Sequence, residues 1–241
     1  MSPTELAKRI QAPNCVSLAK VTSTLDIIHE LAFEGAPRGT VVIADEQVAG
    51  RGRLGRNWRS PPKIGIWLGY LVRPRARIGS GVLSIRVGLT LVQVLKDLNA
   101  EVFLKWPNDL MVRDRKIAGV LCEARWLRDG LQWVGVGIGI NVYSGLPTEI
   151  SHRAAALDRV LPGITRIDVL GRLVPGLHTM SEAELLTTEE LEAFEQSDWL
   201  RDRAIKAPVT GIARGIDRSG GLRVETRSGI EQIFGGSVVA A

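Results

Sequence analysis

Gly50-Arg51-Gly52-Arg53-Leu54-Gly55-Arg56-Asn57-Trp58 follows the apolar run Val41-Val42-Ile43-Ala44, and the fold turns on how this stretch is read. Glycines 50, 52 and 55 stand at the G-x-G-x-x-G spacing of a dinucleotide-binding turn. Such a turn must open a helix and be followed about 20 residues later by an acid that holds the ribose. Here Arg59-Ser60-Pro61-Pro62 blocks a helix, and no Asp or Glu occurs from Gln47 to Lys96. The doubly wound reading is set aside. The stretch reads instead as an anion-binding loop between two core strands, Val41 to Ala44 and Ile64 to Val72. Glycine lets the backbone approach a ligand closely, and each Arg presents a rigid charged fork for phosphate or carboxylate oxygens. A disordered Gly/Arg-rich nucleic-acid segment would be repetitive and would lack the flanking strands.

Working outward, Ser23-Thr24 precedes Leu25, Ile28, Leu31 and Ala32 at helical spacing, a run ended by Gly35 and Pro37. A hydroxyl there caps a helix, and two adjacent hydroxyls can also hold a ligand's polar head. Leu83, Val87, Leu91, Val94, Leu95 and Leu98 form a helical stripe from about Gly81 to Asn99 that packs on the sheet. Glu101 to Lys105 reads as a strand running into Lys105-Trp106-Pro107-Asn108-Asp109-Leu110, where Pro107 ends regular pairing and gathers a Lys, an amide and an acid. Lys116-Ile117-Ala118-Gly119 begins the next strand. In Gly135-Val136-Gly137-Ile138-Gly139-Ile140-Asn141 glycine alternates with branched residues, so one face is stripped of side chains. Either a helix packs tightly on that face or a ligand lies in it, and we read it as a groove.

From Ser144 to about Trp199 the pattern is helical, with Ser181-x-x-Glu184 and Thr187-x-x-Glu190 resembling capping boxes, and is expected to be scaffold. From Pro208 to Ala241 it switches to short strands with turns at Asp217-Arg218-Ser219-Gly220-Gly221 and Ser228-Gly229, as in a small β-barrel.

Composition bounds these readings. The 241 residues are 45% hydrophobic, enough to bury a real core. The net charge of +5 favours anionic ligands or acidic protein partners. Its positive part gathers in Arg51, Arg53, Arg56, Arg59, Lys63, Arg73, Arg75 and Arg77, so the anion site is expected there. Cys15 and Cys122 are too few for a disulfide framework or a zinc site and read as buried thiols. No apolar stretch of about 18 residues and no signal pattern is seen, which points to a cytoplasmic protein.

Gly50-Arg51-Gly52-Arg53-x-Gly55-Arg56-x-Trp58, Lys105-Trp106-Pro107-Asn108-Asp109-Leu110, Lys116-Ile117-Ala118-Gly119 and Gly137-Ile138-Gly139-Ile140-Asn141 together resemble biotin protein ligase, in order and spacing. Gly211-x-x-Arg214-Gly215-Ile216-Asp217 resembles that family's C-terminal barrel. The resemblance implies an α+β fold: a mixed-sheet catalytic domain over residues 1–205, of the class II synthetase-like kind, then an SH3-like β-barrel over 206–241. It also implies the form lacking the N-terminal DNA-binding domain, and no specific DNA or membrane binding. Biotin would be activated by ATP with Mg²⁺ to biotinyl-5′-AMP, then passed to a lysine of a biotin carboxyl carrier protein domain.

Carried over by residue, Arg53 and Lys116 are the catalytic candidates, bridging the biotin carboxylate and the α-phosphate. Ser23, Thr24 and Gln47 would hold the biotin head, with Gly50 and Arg51 near its entry, Lys116 beside it, and Gly119 and Gly137 flooring the pocket. Arg56, Trp58, Asn108 and Asn141 would serve adenine and ribose, and Lys105 and Asp109 would reach phosphates, with Asp109 the candidate metal ligand. Leu25 stands where the family has Asn. Lipoate-type ligation and, from another class, a nucleic-acid-binding module stay open as alternatives, and so does a homodimer.

Overall fold

The computed structural model describes residues 2–74, 78–127 and 130–240, so Arg75 and Arg77 lie outside the described residues. Seven strands form the main sheet: β1 (Cys15–Val21), β2 (Val41–Gln47), β3 (Gly65–Val72), β4 (Phe103–Lys105), β5 (Asp109–Val112), β6 (Arg115–Leu127) and β7 (Gly130–Asn141). Their spatial order is β1-β2-β3-β7-β6-β5-β4. β1 runs parallel to β2, and the remaining neighbours pair antiparallel, which makes the sheet mixed. β3 is buried along its whole length, as its unbroken apolar run requires.

The helices are α1 (Pro3–Arg9), α2 (Thr24–Phe33), α3 (Ser80–Asp97), α4 (Thr148–Ser151), α5 (Arg166–His178) and α6 (Thr188–Ser197). α2 packs on β2, β3 and β7, while α3 packs on β4, β5 and β6 with α5 and α6 beside it. Strand alternation sends Val136, Ile138 and Ile140 into the α3-side core and leaves Gly135, Gly137 and Gly139 on the opposite face. Thr187 and Glu190 form a capping box, as expected, and Thr165 and Asp168 form another. Ser181 does not: it precedes no helix, and its hydroxyl accepts from the Ala183 N–H two residues on. The two cysteines are free, and both are intermediate in exposure where the sequence suggested buried thiols.

A second sheet follows, from β8 (Ala204–Ala207), β9 (Gly211–Ile216), β10 (Leu222–Thr226), β11 (Gly229–Ile233) and β12 (Val239–Ala240), in the order β11-β10-β9-β8-β12. All its pairs are antiparallel. Its apolar face is not separate: Ile205, Ala213, Leu222 and Val224 share one core with α3 and the main sheet. The buried Trp106 indole N–H seals the joint, donating to the Gly220 carbonyl at 2.8 Å. Gly220 has φ +80°, and an added Cβ would lie 3.0 Å from Ile85, so this turn is both left-handed and tight.

Candidate active site

The basic loop leaves β2, crosses over the sheet and returns to β3, with Arg53–Gly55 in a single 3₁₀ turn and Leu54 at φ 57°. Beneath it lies a cavity of about 750 Å³. Ser23, Thr24, Gln47, Arg51, Arg53, Arg56, Trp58, Lys105, Asn108, Asp109, Lys116, Gly119, Gly137 and Asn141 all line it. Gly50 sits on the far side of the loop, in a neighbouring cavity. An added Cβ there would lie 2.5 Å from the Trp58 carbonyl and 2.8 Å from Ser60 Oγ, so glycine at this position lets the loop close on itself.

One end of the cavity is polar and small. Ser23 caps α2 by accepting from the Leu25 N–H at 3.3 Å. Gln47 Oε1 accepts from the Thr24 N–H at 2.8 Å and from Thr24 Oγ1 at 3.1 Å, while Gln47 Nε2 donates to Ser60 Oγ at 2.7 Å. A single amide thus ties the start of the helix to the end of the loop. Leu25, at 2% exposed, is turned toward the glycine strip of β7: an added Cβ at Gly137 would lie 2.9 Å from its Cδ1.

The strip that looked like a groove is therefore shared. Leu25 and His29 of α2 fill its Gly135 and Gly137 positions, and Trp58 of the loop fills Gly139, where a Cβ would lie 2.4 Å from the indole. Gly137 and Gly139 still line the cavity, so both sequence readings of the strip hold at different points along it. Trp58 Nε1 is buried without a hydrogen-bond partner among the described residues.

At the other end cations converge. Lys116 Nζ is 2.6 Å from Asp109 Oδ1 and 4.9 Å from the centre of the Trp58 ring. Arg53 Nη1 donates to Asn108 Oδ1 at 3.2 Å, and Asn108 is itself fixed because its Nδ2 donates to the Val120 carbonyl at 2.7 Å. Burial lowers the pKa of the Arg53 guanidinium, with the Asp109 charge opposing. Burial also lowers Lys105, again against Asp109, while Lys116, Arg203 and Arg56 add to the lowering. Positive charge is thus concentrated at real desolvation cost, which anionic ligand oxygens would relieve.

Arg51 differs from the other arginines. It donates to Asp26 at 2.6 Å and to both oxygens of Glu123 at 3.1 and 3.3 Å. Burial works against its charge, but Glu123 and Asp26 together hold its pKa above the ordinary value. Glu123 falls to about 2, first through its hydrogen bond with His29 and then through Arg51.

Two stretches of the lining and one pairing behind it were not expected from sequence. Glu149, Ile150, Arg153 and Ala154, at and after α4, border the cavity, so the stretch read as scaffold contributes to the site. It is stitched there by backbone: Lys116 N–H donates to the Arg153 carbonyl at 2.9 Å and Ala155 N–H to the Lys116 carbonyl at 3.0 Å. Asn141 Nδ2 adds a bond to the Ala155 carbonyl at 3.2 Å. From the second sheet's end, Gly236, Ser237 and Val238 complete the wall, and Arg56 Nη2 donates to Ser237 Oγ at 3.3 Å. The pairing of His29 with Glu123 behind Arg51 is the third, and a lone helical His gave no signal of it.

Comparison with known proteins agrees with this geometry. Residues 17–141 match the biotin/lipoate A/B protein ligase family, and residues 205–239 match the biotin protein ligase C terminal domain. The biotin–[acetyl-CoA-carboxylase] ligase of Paracoccus denitrificans is 38% identical over 243 residues, covering 91% of this chain and 100% of that one. The bifunctional ligase/repressor BirA of Bacillus subtilis (strain 168) is 31% identical, covering 90% of this chain and 71% of its own. The biotin protein ligase from Aquifex aeolicus, solved in complex with biotin and ATP, superposes with a TM-score of 0.79 at 29% identity, covering 95% of this chain and 99% of that one. The two family matches cover both sheets in chain order, and this chain belongs to the biotin protein ligases.

Proposed function

We propose that this protein activates biotin with ATP to biotinyl-5′-AMP, releasing pyrophosphate, and then transfers the biotinyl group to a lysine of a biotin carboxyl carrier protein domain. The observation that carries the reading is the two-ended cavity: a small polar end at Ser23, Thr24 and Gln47, and a cationic end lined by Arg53 and Lys116. Bringing a carboxylate onto the α-phosphate opposes two negative charges, so the site must supply fixed cations. Arg53 and Lys116 are the catalytic residues in this reading. A carboxylate oxygen attacks the α-phosphorus, the bond to the β-phosphate bridging oxygen breaks, and the cations take up the charge that develops. In the second step the neutral lysine amine attacks the anhydride carbonyl, and AMP leaves with the bonding electrons.

Ser23, Thr24 and Gln47 take the biotin head, and Gly119 and Gly137 allow its close approach. Arg56, Trp58, Asn108 and Asn141 serve the nucleotide, and Lys105 serves the phosphates. The described residues hold no group of three or more His, Cys, Asp or Glu side chains that would cage a metal. Mg²⁺ commonly binds through substrate phosphates, waters and one or two carboxylates, and Asp109, Asp114 and Glu149 all line the cavity. They fit a metal brought in on ATP, which would screen the triphosphate charge. A division into a catalytic domain, 1–205, and an SH3-like barrel, 206–241, finds support in the change of sheet at β8, although β8 begins at Ala204, two residues before the expected boundary. No helix among the described residues is long and apolar enough to cross a membrane, and a cytoplasmic site of action suits ATP and a carrier domain.

The test is the mass of the adenylate formed from ATP, Mg²⁺ and either biotin or lipoate, followed by transfer to a carrier domain. Biotinyl-5′-AMP and a biotinylated carrier are expected. A lipoyl adenylate alone, or no adenylate, overturns the reading.

A further inference from the structure

The basic loop is held at its root by a chain of bonds that runs across the α2 face of the sheet. Trp133 Nε1–H donates to His29 Nδ1 at 2.9 Å, and His29 Nε2 stands 3.0 Å from Glu123 Oε2. Because Nδ1 accepts, the proton of the neutral ring lies on Nε2 and is donated to Glu123. Glu123 then grips Arg51 through both oxygens, and Asp26, fixed by Thr22 Oγ1 at 2.7 Å, takes the remaining fork. The sequence makes room for this: an added Cβ at Gly135 would lie 3.0 Å from His29 Cε1, and Gly135 is the register partner of Glu123. His29 is 9% exposed, so its ring is locked between helix and strand. An arginine already matched by two carboxylates has little left to offer an anionic ligand, unlike Arg53, whose bonded partner is the neutral Asn108.

We infer that Arg51 anchors the basic loop rather than binding the reacting groups, and that His29 and Glu123 are positioning residues which hold that anchor. This rests on the proposed function only for its kinetic readout. Only Gly52 separates Arg51 from Arg53 along the chain, so freedom at the anchor becomes misplacement at the cation expected to meet the carboxylate and phosphate. Entropy sets the direction of the effect: a loop no longer fixed must be ordered by the incoming acid, which weakens apparent binding more than the chemistry of the bound state.

The experiment uses the full chain with His29→Ala, His29→Gln and Glu123→Ala. Amide hydrogen exchange over residues 50–56 without ligands and steady-state pyrophosphate release with biotin are both measured. His29→Ala and Glu123→Ala are expected to speed exchange in the loop and to raise KM for biotin about tenfold, with kcat changed less than about threefold, the size of one lost charge-assisted hydrogen bond. His29→Gln, which keeps a donor for Glu123, should recover most of the loss. Trp133→Phe keeps the ring and removes only the N–H, and should shift exchange in the same direction should the alanine variants fail to fold. Unchanged loop exchange in a folded variant, a loss confined to kcat, or His29→Gln as impaired as His29→Ala overturns the anchor. Absence of adenylation in the wild-type protein overturns the proposed function instead, and the exchange measurement still reads the anchor.

Discussion

Lys116 and Asp109 form a 2.6 Å ion pair inside the cavity, with the Trp58 ring on the other side of the amine. An added Cβ at Gly119 would lie 2.9 Å from that same Nζ, so the strand carrying Lys116 folds its amine back over its own glycine. The Lys116 amine is thus held on a neighbouring acid, and an arriving anion has to compete for it.

Lys116→Ala is expected to lower pyrophosphate release by about 10² to 10³, the usual cost of removing one preorganised charged donor. Asp109→Asn both releases the amine and removes one of the carboxylates that would meet Mg²⁺, so its loss in the same assay should be smaller than that of Lys116→Ala and should deepen as Mg²⁺ is lowered. Near-normal release by Lys116→Ala would remove it from the catalytic pair.

Arg53→Ala is expected to lose a similar factor, about 10² to 10³ in rate, with the fold intact. Arg53→Lys should recover little, because a compact ammonium lacks the planar fork that reaches Asn108 and meets two ligand oxygens side by side. Full rescue by lysine in a single-turnover adenylation assay would show that point charge alone is needed.

Gly139→Ala puts a methyl group 2.4 Å from the Trp58 indole. Overpacking of this kind costs roughly 1–3 kcal/mol and should be relieved by expelling Trp58, since the loop yields before the sheet. The expected result is a folded protein with altered tryptophan fluorescence and weakened biotin binding by calorimetry. Unchanged emission and affinity would mean the ring does not lie on this glycine in solution.

Burial raises Asp198 to about 6, opposed by the Leu200 N–H that its Oδ1 accepts at 2.8 Å, and Oδ2 is buried without a partner among the described residues. The folded state therefore prefers the protonated acid. The stability this contributes is complete below the ordinary value of 3.8 and is lost as pH rises through about 6. Asp198→Asn should stabilise the protein at pH 7.5 by on the order of 2 kcal/mol and have little effect near pH 3.5, read by urea unfolding. Equal effects at both pH values would exclude a buried charge as the cause.

The sequence carried the parts of the site that depend on backbone freedom or charge density. Alternating glycines in β7 located the bare face, and the acid-free interval around Arg51, Arg53 and Arg56 located the cations. It did not carry parts that arrive by packing. α4 has four residues, too short for a periodic signal, and reaches the cavity because backbone bonds pair Arg153 with Lys116. Ser237 is brought to Arg56 across 181 positions by a joint whose polar pin, Trp106 to Gly220, leaves no local pattern in either segment. α1 and β1 escaped notice because β1 alternates only weakly between buried and open positions at the sheet edge.

The glycines of β7 also limit how this cavity can change over time. At Gly139 a methyl group would lie 2.4 Å from the Trp58 indole, and at Gly135 and Gly137 it would press on His29 and Leu25 at 3.0 and 2.9 Å, so a side chain on the strand requires its facing neighbour to give way first. Any retuning of the acid that enters has to be written on the facing surface, where Leu25, His29 and Trp58 stand. This chain's Leu25, in place of the Asn its relatives' pattern leads one to expect, is where such a rewriting would be looked for first. Libraries aimed at new acids should accordingly randomise position 25 and leave the strand alone.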